Sequence, residues 1–139
     1  MRANSKKQLL QELAAKASKI TGVPEREIFD VILQRERLGS TGVGNGIAIP
    51  HGKLNNLPSI IGIFARLDTP VDFEALDDQP VDLVFLLLAP EGAGADHLKA
   101  LSRIARVLRD QDMVAKIRSS DSASAIYTLL DDDATSHAA

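Results

Sequence analysis

The stretch Val81-Asp82-Leu83-Val84-Phe85-Leu86-Leu87-Leu88-Ala89 decides the fold. Apart from Asp82 it is wholly apolar, and it does not alternate. A half-exposed strand would alternate, so this run predicts a central strand covered on both faces. Pro90-Glu91-Gly92 closes it. Upstream, Ile60-Ile61-Gly62-Ile63-Phe64-Ala65-Arg66-Leu67 reads as a second strand and Asp68-Thr69-Pro70 as the turn after it. Ile47-Ala48-Ile49 is a short apolar strand end, stopped by Pro50-His51-Gly52.

Helical spacing lies on both sides of these strands. Ser5 and Gln8 fit a capping box. Leu9, Leu10, Leu13, Ala14, Ala17 and Ile20 follow as one apolar face, and Gly22 ends the helix. Pro24 suits the first position of a second helix, with Ile28, Phe29, Ile32 and Leu33 facing inward, that runs out near Arg37-Leu38-Gly39. A third begins near Ala95 or Asp96, with Leu98, Leu101, Ile104, Ala105 and Leu108 as its buried stripe. Shorter helical pieces follow at 113–117 and 122–130, and 131–139 reads as a frayed, acidic tail. Helices interleaved with apolar strands predict an α/β fold, with helices on both faces of the sheet, in one domain over 1–139.

Composition narrows the function classes. The 139 residues carry a net charge of −3, so no basic excess exists to neutralise a nucleic-acid backbone. Arg103, Arg106 and Arg109 form a stripe at helical spacing, read as a solvated face rather than a docking edge. The chain has no Cys, which removes disulfides and thiolate chemistry and agrees with a reducing cytoplasm. No apolar run approaches the ~20 residues that span a bilayer. Glu36 and Asp96 have no ligand cluster around them and are assigned to the surface and to helix capping. Asp131-Asp132-Asp133 reads as solvated tail, and His137 has no functional context.

The chemistry concentrates in Arg35-Glu36-Arg37-Leu38-Gly39-Ser40-Thr41-Gly42-Val43-Gly44-Asn45-Gly46-Ile47-Ala48-Ile49-Pro50-His51-Gly52. Residues 39–46 read as a glycine-rich loop, and successive amides around Thr41, Gly42, Gly44, Asn45 and Gly46 are the expected anion-binding surface. Pro50 fixes the backbone before His51, and Gly52 frees it after. No strand precedes these glycines and no helix follows, so a dinucleotide fingerprint does not fit. A phosphate loop of the Walker type needs Gly-Lys, and Gly46 precedes Ile47. A lone His is ordinarily a surface or capping residue. Beside an anion-binding loop and the cation Arg35, a neutral imidazole instead suits phosphoryl transfer to nitrogen. One ring nitrogen then presents its lone pair, while a carbonyl holds the proton on the other.

This stretch resembles the active-site signature of enzyme IIA of the bacterial phosphotransferase system, in its fructose/mannitol and nitrogen-regulatory branch. The wording from Leu38 to Gly52 is most like the nitrogen branch. The likeness continues through Phe73-Glu74-Ala75-Leu76-Asp77-Asp78-Gln79-Pro80 into the apolar strand, and through His97-Leu98-Lys99-Ala100-Leu101. It implies a mixed, roughly five-stranded sheet between helices. It also implies that His51 accepts a phosphoryl group on Nε2 from an HPr-like phosphocarrier, itself charged from phosphoenolpyruvate through an enzyme I. Arg35 then matches an arginine that steadies the phosphoryl group, and His97 a second histidine beside the first. Such a chain is a phosphoryl-transfer protein with a phosphohistidine intermediate and no cofactor, rather than an enzyme with a small-molecule substrate.

The nitrogen branch implies phosphorylation-dependent binding of targets such as potassium-transport and stress-signalling proteins. Two other readings compete: a sugar-specific IIA donating to a IIB domain, and an interaction module without phosphorylation, which needs no Arg35, His51 and His97 together. In one respect the sequence departs from the branch. Relatives carry a stretch before the first helix that adds an edge strand, whereas Met1-Arg2-Ala3-Asn4 leads almost directly into it. The sheet is thus expected with that edge strand absent or shortened, and an open edge invites pairing.

Overall fold

The computed structural model describes residues 2–55 and 57–119. In chain order they form α1 (Lys6–Thr21), α2 (Glu25–Leu38), β1 (Gly42–Gly44), β2 (Ile47–Ala48), β3 (His51–Leu54), β4 (Ile61–Val71), β5 (Val81–Pro90), a 3-10 turn (Glu91–Ala93), α3 (Ala95–Val107) and α4 (Gln111–Ser119). The class is α/β with a mixed five-stranded sheet. Contacts divide the chain into two compact units, Met1–His97 and Leu98–Ala139.

In the first unit, the apolar run is the hub. β5 pairs in parallel with β2 and β3 along one edge and antiparallel with β4 along the other. Side chains alternate across a strand. Val84, Leu86 and Leu88 therefore enter one core, while Leu83, Leu87 and Ala89 are buried on the opposite face. The absence of alternation in 81–89 has this two-sided burial as its cause. At about 1.5–3 kcal/mol for each large aliphatic side chain buried, β5 is the main source of the sheet's stability.

α1 and α2 fill the face carrying Val84, Leu86 and Leu88. Leu9, Leu10, Leu13, Ala14 and Ala17 join Ile28 and Ile32 in the same cluster as Leu54, Ala65 and Leu67. The ends follow local chemistry. Ser5 Oγ accepts from the Gln8 amide, and the Gln8 side-chain oxygen accepts from the Asn4 amide, one residue earlier than a strict capping box requires. Gly22, at φ 78°, closes α1 in the left-handed region. Pro24 caps α2, which starts at Glu25, one position later than expected. Among the described residues no strand precedes α1.

Three segments differ from the sequence expectation. Residues 39–46 are largely a β-hairpin, not a loop. Asn45 and Gly46 both have positive φ, 58° and 80°, which the two-residue turn between twisted strands demands. Pro50-His51-Gly52 begins a strand rather than stopping one. Ile47↔Leu83, Ala48↔Val84 and His51↔Leu87 keep one offset, so β2 and β3 run along β5 as one strand interrupted at Ile49-Pro50. Asp68-Thr69-Pro70 does not turn the chain; β4 runs on to Val71 through a register irregularity after Arg66. A strand edge tolerates proline there because no ladder bond is needed at the irregularity.

In the second unit, α3 continues past its first turn and α4 follows, with Val107, Leu108, Val114 and Ile117 buried. Leu98, expected in the buried stripe, is 64% exposed; Leu101, Ile104 and Ala105 are half-buried. Arg103, Arg106 and Arg109 are exposed, as a solvated face requires. The helical piece expected at 122–130, the tail at 131–139 and His137 lie outside the described residues.

Candidate functional site

His51 opens β3 opposite Leu87, so its side chain leaves the sheet on the face away from α1 and α2. The interruption before it is chemically specific. Pro50 has no amide hydrogen, and its carbonyl accepts from the Leu87 amide at 3.0 Å. The Ile49 amide donates to the Thr41 carbonyl at 3.0 Å. The Ile49 carbonyl lies 3.0 Å from Nδ1 of His51. A carbonyl can only accept, so Nδ1 carries the ring proton and Nε2 keeps its lone pair. Gly52 does not serve to free the backbone. A Cβ there would lie 2.4 Å from Val31 Cγ1, so glycine is what lets α2 pack against β3.

Arg35, in the last turn of α2, donates from Nε to Nε2 of His51 at 3.2 Å and from Nη1 to the Gly39 carbonyl at 2.9 Å. His97 lies in the first turn of α3, its ring centroid 5.6 Å from that of His51 and tilted by 54°. It is 6% exposed, and its Nε2 is buried with no hydrogen-bond partner among the described residues. Burial lowers its pKa below the ordinary value, and the charges of His51 and Lys53 lower it further. The imidazole is thus neutral near pH 7. The structure brings together all three side chains singled out in the sequence.

The glycine-rich segment does not form the expected anion cradle. The Thr41 amide donates to Glu36 Oε2 at 3.1 Å, and the Thr41 hydroxyl donates to Oε1 of the same carboxylate. The Gly42 amide donates to Ser40 Oγ at 3.1 Å, and the Asn45 amide to Asp77 Oδ2 at 3.0 Å. The Gly46 carbonyl takes the Asp82 and Leu83 amides, and Gly44, at φ 101°, belongs to the hairpin. The chain's own acceptors thus hold three amides proposed for a phosphate. Glu36 is likewise no surface residue. It is 6% exposed and pairs with Lys6 Nζ at 2.9 Å, while that ammonium sits 4.6 Å from the Phe73 ring centroid. This knot ties α1, α2 and the hairpin together next to Arg35. Asp96 is exposed in the first turn of α3, where a carboxylate suits a helix N-terminus.

Residues 1–133 match the family model described as phosphoenolpyruvate-dependent sugar phosphotransferase system, EIIA 2. The chain belongs to this family. A nitrogen regulatory protein of Bradyrhizobium diazoefficiens is 68% identical to this EIIA 2 chain over 130 residues, covering 94% of it and 85% of the relative. The nitrogen regulatory protein of Escherichia coli K12 is 43% identical over 92% of the chain and 79% of its own length. The crystal structure of the nitrogen regulatory protein IIA-Ntr from Neisseria meningitidis superposes with a TM-score of 0.89 at 35% identity, covering 94% and 89% of the two chains.

For this EIIA 2 domain, three contributors to the site were not singled out in the sequence. Ile49 acts through its carbonyl, which no side-chain pattern reveals. Lys53 stands two residues after His51 on the same side of β3, and that spacing could have found it once β3 was recognised. Lys6 meets Glu36 across thirty residues of sequence, which only the packing of α1 on α2 discloses.

Proposed function

We propose that this EIIA 2 chain is a nitrogen-type enzyme IIA that accepts a phosphoryl group from an HPr-like phosphocarrier on Nε2 of His51 and binds target proteins according to its phosphorylation state. The observation that carries this reading is the division of labour in one ring, with Nδ1 proton-bound to Ile49 and Nε2 unprotonated. The nitrogen regulatory proteins among the relatives support the branch.

In the transfer, the Nε2 lone pair attacks phosphorus, and the P–N bond of the carrier's phosphohistidine breaks. Its electron pair returns to the carrier imidazole. The proton on Nδ1 of His51 stays, and the Ile49 carbonyl stabilises the positive charge that develops on the ring. The transition state is loose and highly charged, so positioning and charge compensation dominate. The Arg35 fork meets the equatorial oxygens. The neutral His97 ring places an unpartnered nitrogen beside them and sits at a helix N-terminus, which favours anions.

The switch in target binding is electrostatic. A phosphoryl group adds about −1.5 to −2 charges. Leu38, which precedes the Arg35 anchor Gly39, is 85% exposed, and Leu76, beside the hairpin, is 84% exposed. Charge arriving on a docking face that includes such residues opposes apolar docking. Incubating the chain with phosphoenolpyruvate, enzyme I and the carrier tests the reading. An acid-labile, base-stable label that disappears in His51→Ala supports it. An unlabelled wild-type chain, beside a charged carrier, rejects it.

A further inference from the structure

The lone pair that the transfer requires is already engaged. Nε2 of His51 accepts the Arg35 Nε–H at 3.2 Å, and Arg35 is held there by a second bond from Nη1 to the Gly39 carbonyl. A nitrogen whose pair is held by a cationic donor is a poor nucleophile until that donor leaves. We infer that Arg35 determines which electrophiles His51 can attack: it caps Nε2 against neutral electrophiles and is drawn off by the anionic oxygens of a phosphoryl group. This rests on the reading of Nε2 as the acceptor, and it gives Arg35 a role before transfer as well as during it.

The direction follows from hydrogen-bond strength. Guanidinium bonds to anionic oxygens are roughly twice as strong as bonds to neutral acceptors, and they are forked. A phosphoryl group approaching Nε2 therefore offers Arg35 a better partner at the moment the lone pair is needed. A neutral acylating or alkylating agent offers none, and must displace the cap unaided. The anchor on Gly39 sets how far the guanidinium travels. It can pivot about that bond from ring to phosphoryl oxygens without rearrangement of α2. Lone-pair protection and phosphoryl binding are then one side chain in two positions, and the half-buried His51 is spared wasteful modification.

The test compares two small electrophiles on the full chain at pH 8, where an ordinary imidazole is neutral. Diethyl pyrocarbonate is uncharged. Nε2 attacks its carbonyl, ethyl carbonate leaves, the Nδ1 proton passes to solvent, and the product is mapped to His51 by peptide mass. Phosphoramidate is an anionic phosphoryl donor. Arg35→Met keeps the aliphatic stem and removes the donor. Carbethoxylation of His51 should rise about tenfold in Arg35→Met, which is about 1.4 kcal/mol and near the low end for a hydrogen bond from a charged group. Phosphorylation by phosphoramidate should fall.

Unchanged carbethoxylation in Arg35→Met overturns the proposal. So does a parallel rise in both reactions, which would make Arg35 a mere steric shield. If Arg35→Met does not fold, the ring nitrogen-15 resonances of the wild-type protein decide. An unprotonated Nε2 signal displaced upfield of free imidazole supports the cap, and a signal at the free value rejects it. Carbethoxylation needs no phosphoryl transfer, so failure of the cap and failure of the phosphorelay reading are separately visible.

Discussion

The rings of His51 and His97 lie 5.6 Å apart, centroid to centroid, yet only one of them has both nitrogens engaged. His51 is held by Ile49 and Arg35, whereas His97 presents a buried nitrogen with no partner among the described residues. On the proposed reading, the asymmetry divides the roles: the held ring serves as the nucleophile and the unpartnered one as the donor to a phosphoryl oxygen. His97→Ala should therefore slow transfer by about 10²-fold, the usual scale for one lost donor to a developing anion, while leaving His51 able to be labelled. Single-turnover labelling from the charged carrier measures this. Loss as complete as in His51→Ala would contradict the assignment.

The pH response of His97 has a definite sign. Its folded pKa lies below the ordinary 6.5, with burial as the main cause. The folded state thus binds fewer protons than the unfolded chain. The stabilising contribution is complete above 6.5 and is lost as pH falls through the lowered value. Nitrogen-15 titration of the ring should give a midpoint below 6.5 in the free protein. After phosphorylation of His51 the midpoint should rise, because a dianion then stands beside the ring. A midpoint that does not move on phosphorylation would place His97 too far from the phosphoryl group to act on it.

The Lys6–Glu36–Thr41 knot makes a stability prediction. Glu36→Ala leaves an ammonium and the Thr41 amide without their shared acceptor in a largely buried setting. Removing one partner of a buried pair costs about 3–5 kcal/mol, and Lys6, partly reached by solvent, brings this case to the lower end. Urea unfolding of Glu36→Ala, Lys6→Met and the double variant should show strong non-additivity, since the pair is lost once. Additive effects would mean the two residues act independently.

Close packing at Gly52 makes another. Gly52→Ala drives a methyl into Val31 Cγ1 and should destabilise the chain by about 1–3 kcal/mol. It should also slow transfer, because β3 carries His51. Val31→Ala in the same chain should restore most of both losses by opening the space. Equal stability of Gly52→Ala and wild type in urea would show that α2 and β3 have slack at this contact.

The legibility of the fold tracked how local each signal was. The run at 81–89 announced a doubly buried strand because both faces of β5 demand apolar residues, and Ser5 and Gly22 announced the ends of α1 because caps are set within a turn. The hairpin is hard to read although Asn45-Gly46 is a strong short-range turn signal, because β1 and β2 are too short to alternate. β3 is not legible locally because its identity lies in its register with β5, four residues of a strand broken by Pro50. In the candidate site, residue types and the resemblance single out Arg35, His51 and His97, which the structure brings together. What those residues touch was not. Glu36 looked like surface because nothing within the second helix reveals that Lys6 meets its carboxylate, and the loop amides looked free because their acceptors, Glu36 and Asp77, come from other segments.

The central claim is that Nε2 of His51 is the reacting nitrogen, with the proton kept on Nδ1 by Ile49. The most direct measurement is nitrogen-15 and phosphorus-31 spectroscopy of the chain after phosphorylation by the charged carrier. Coupling of phosphorus to Nε2 of His51 is the expected result. Coupling to Nδ1 of His51, or to either nitrogen of His97, would contradict it.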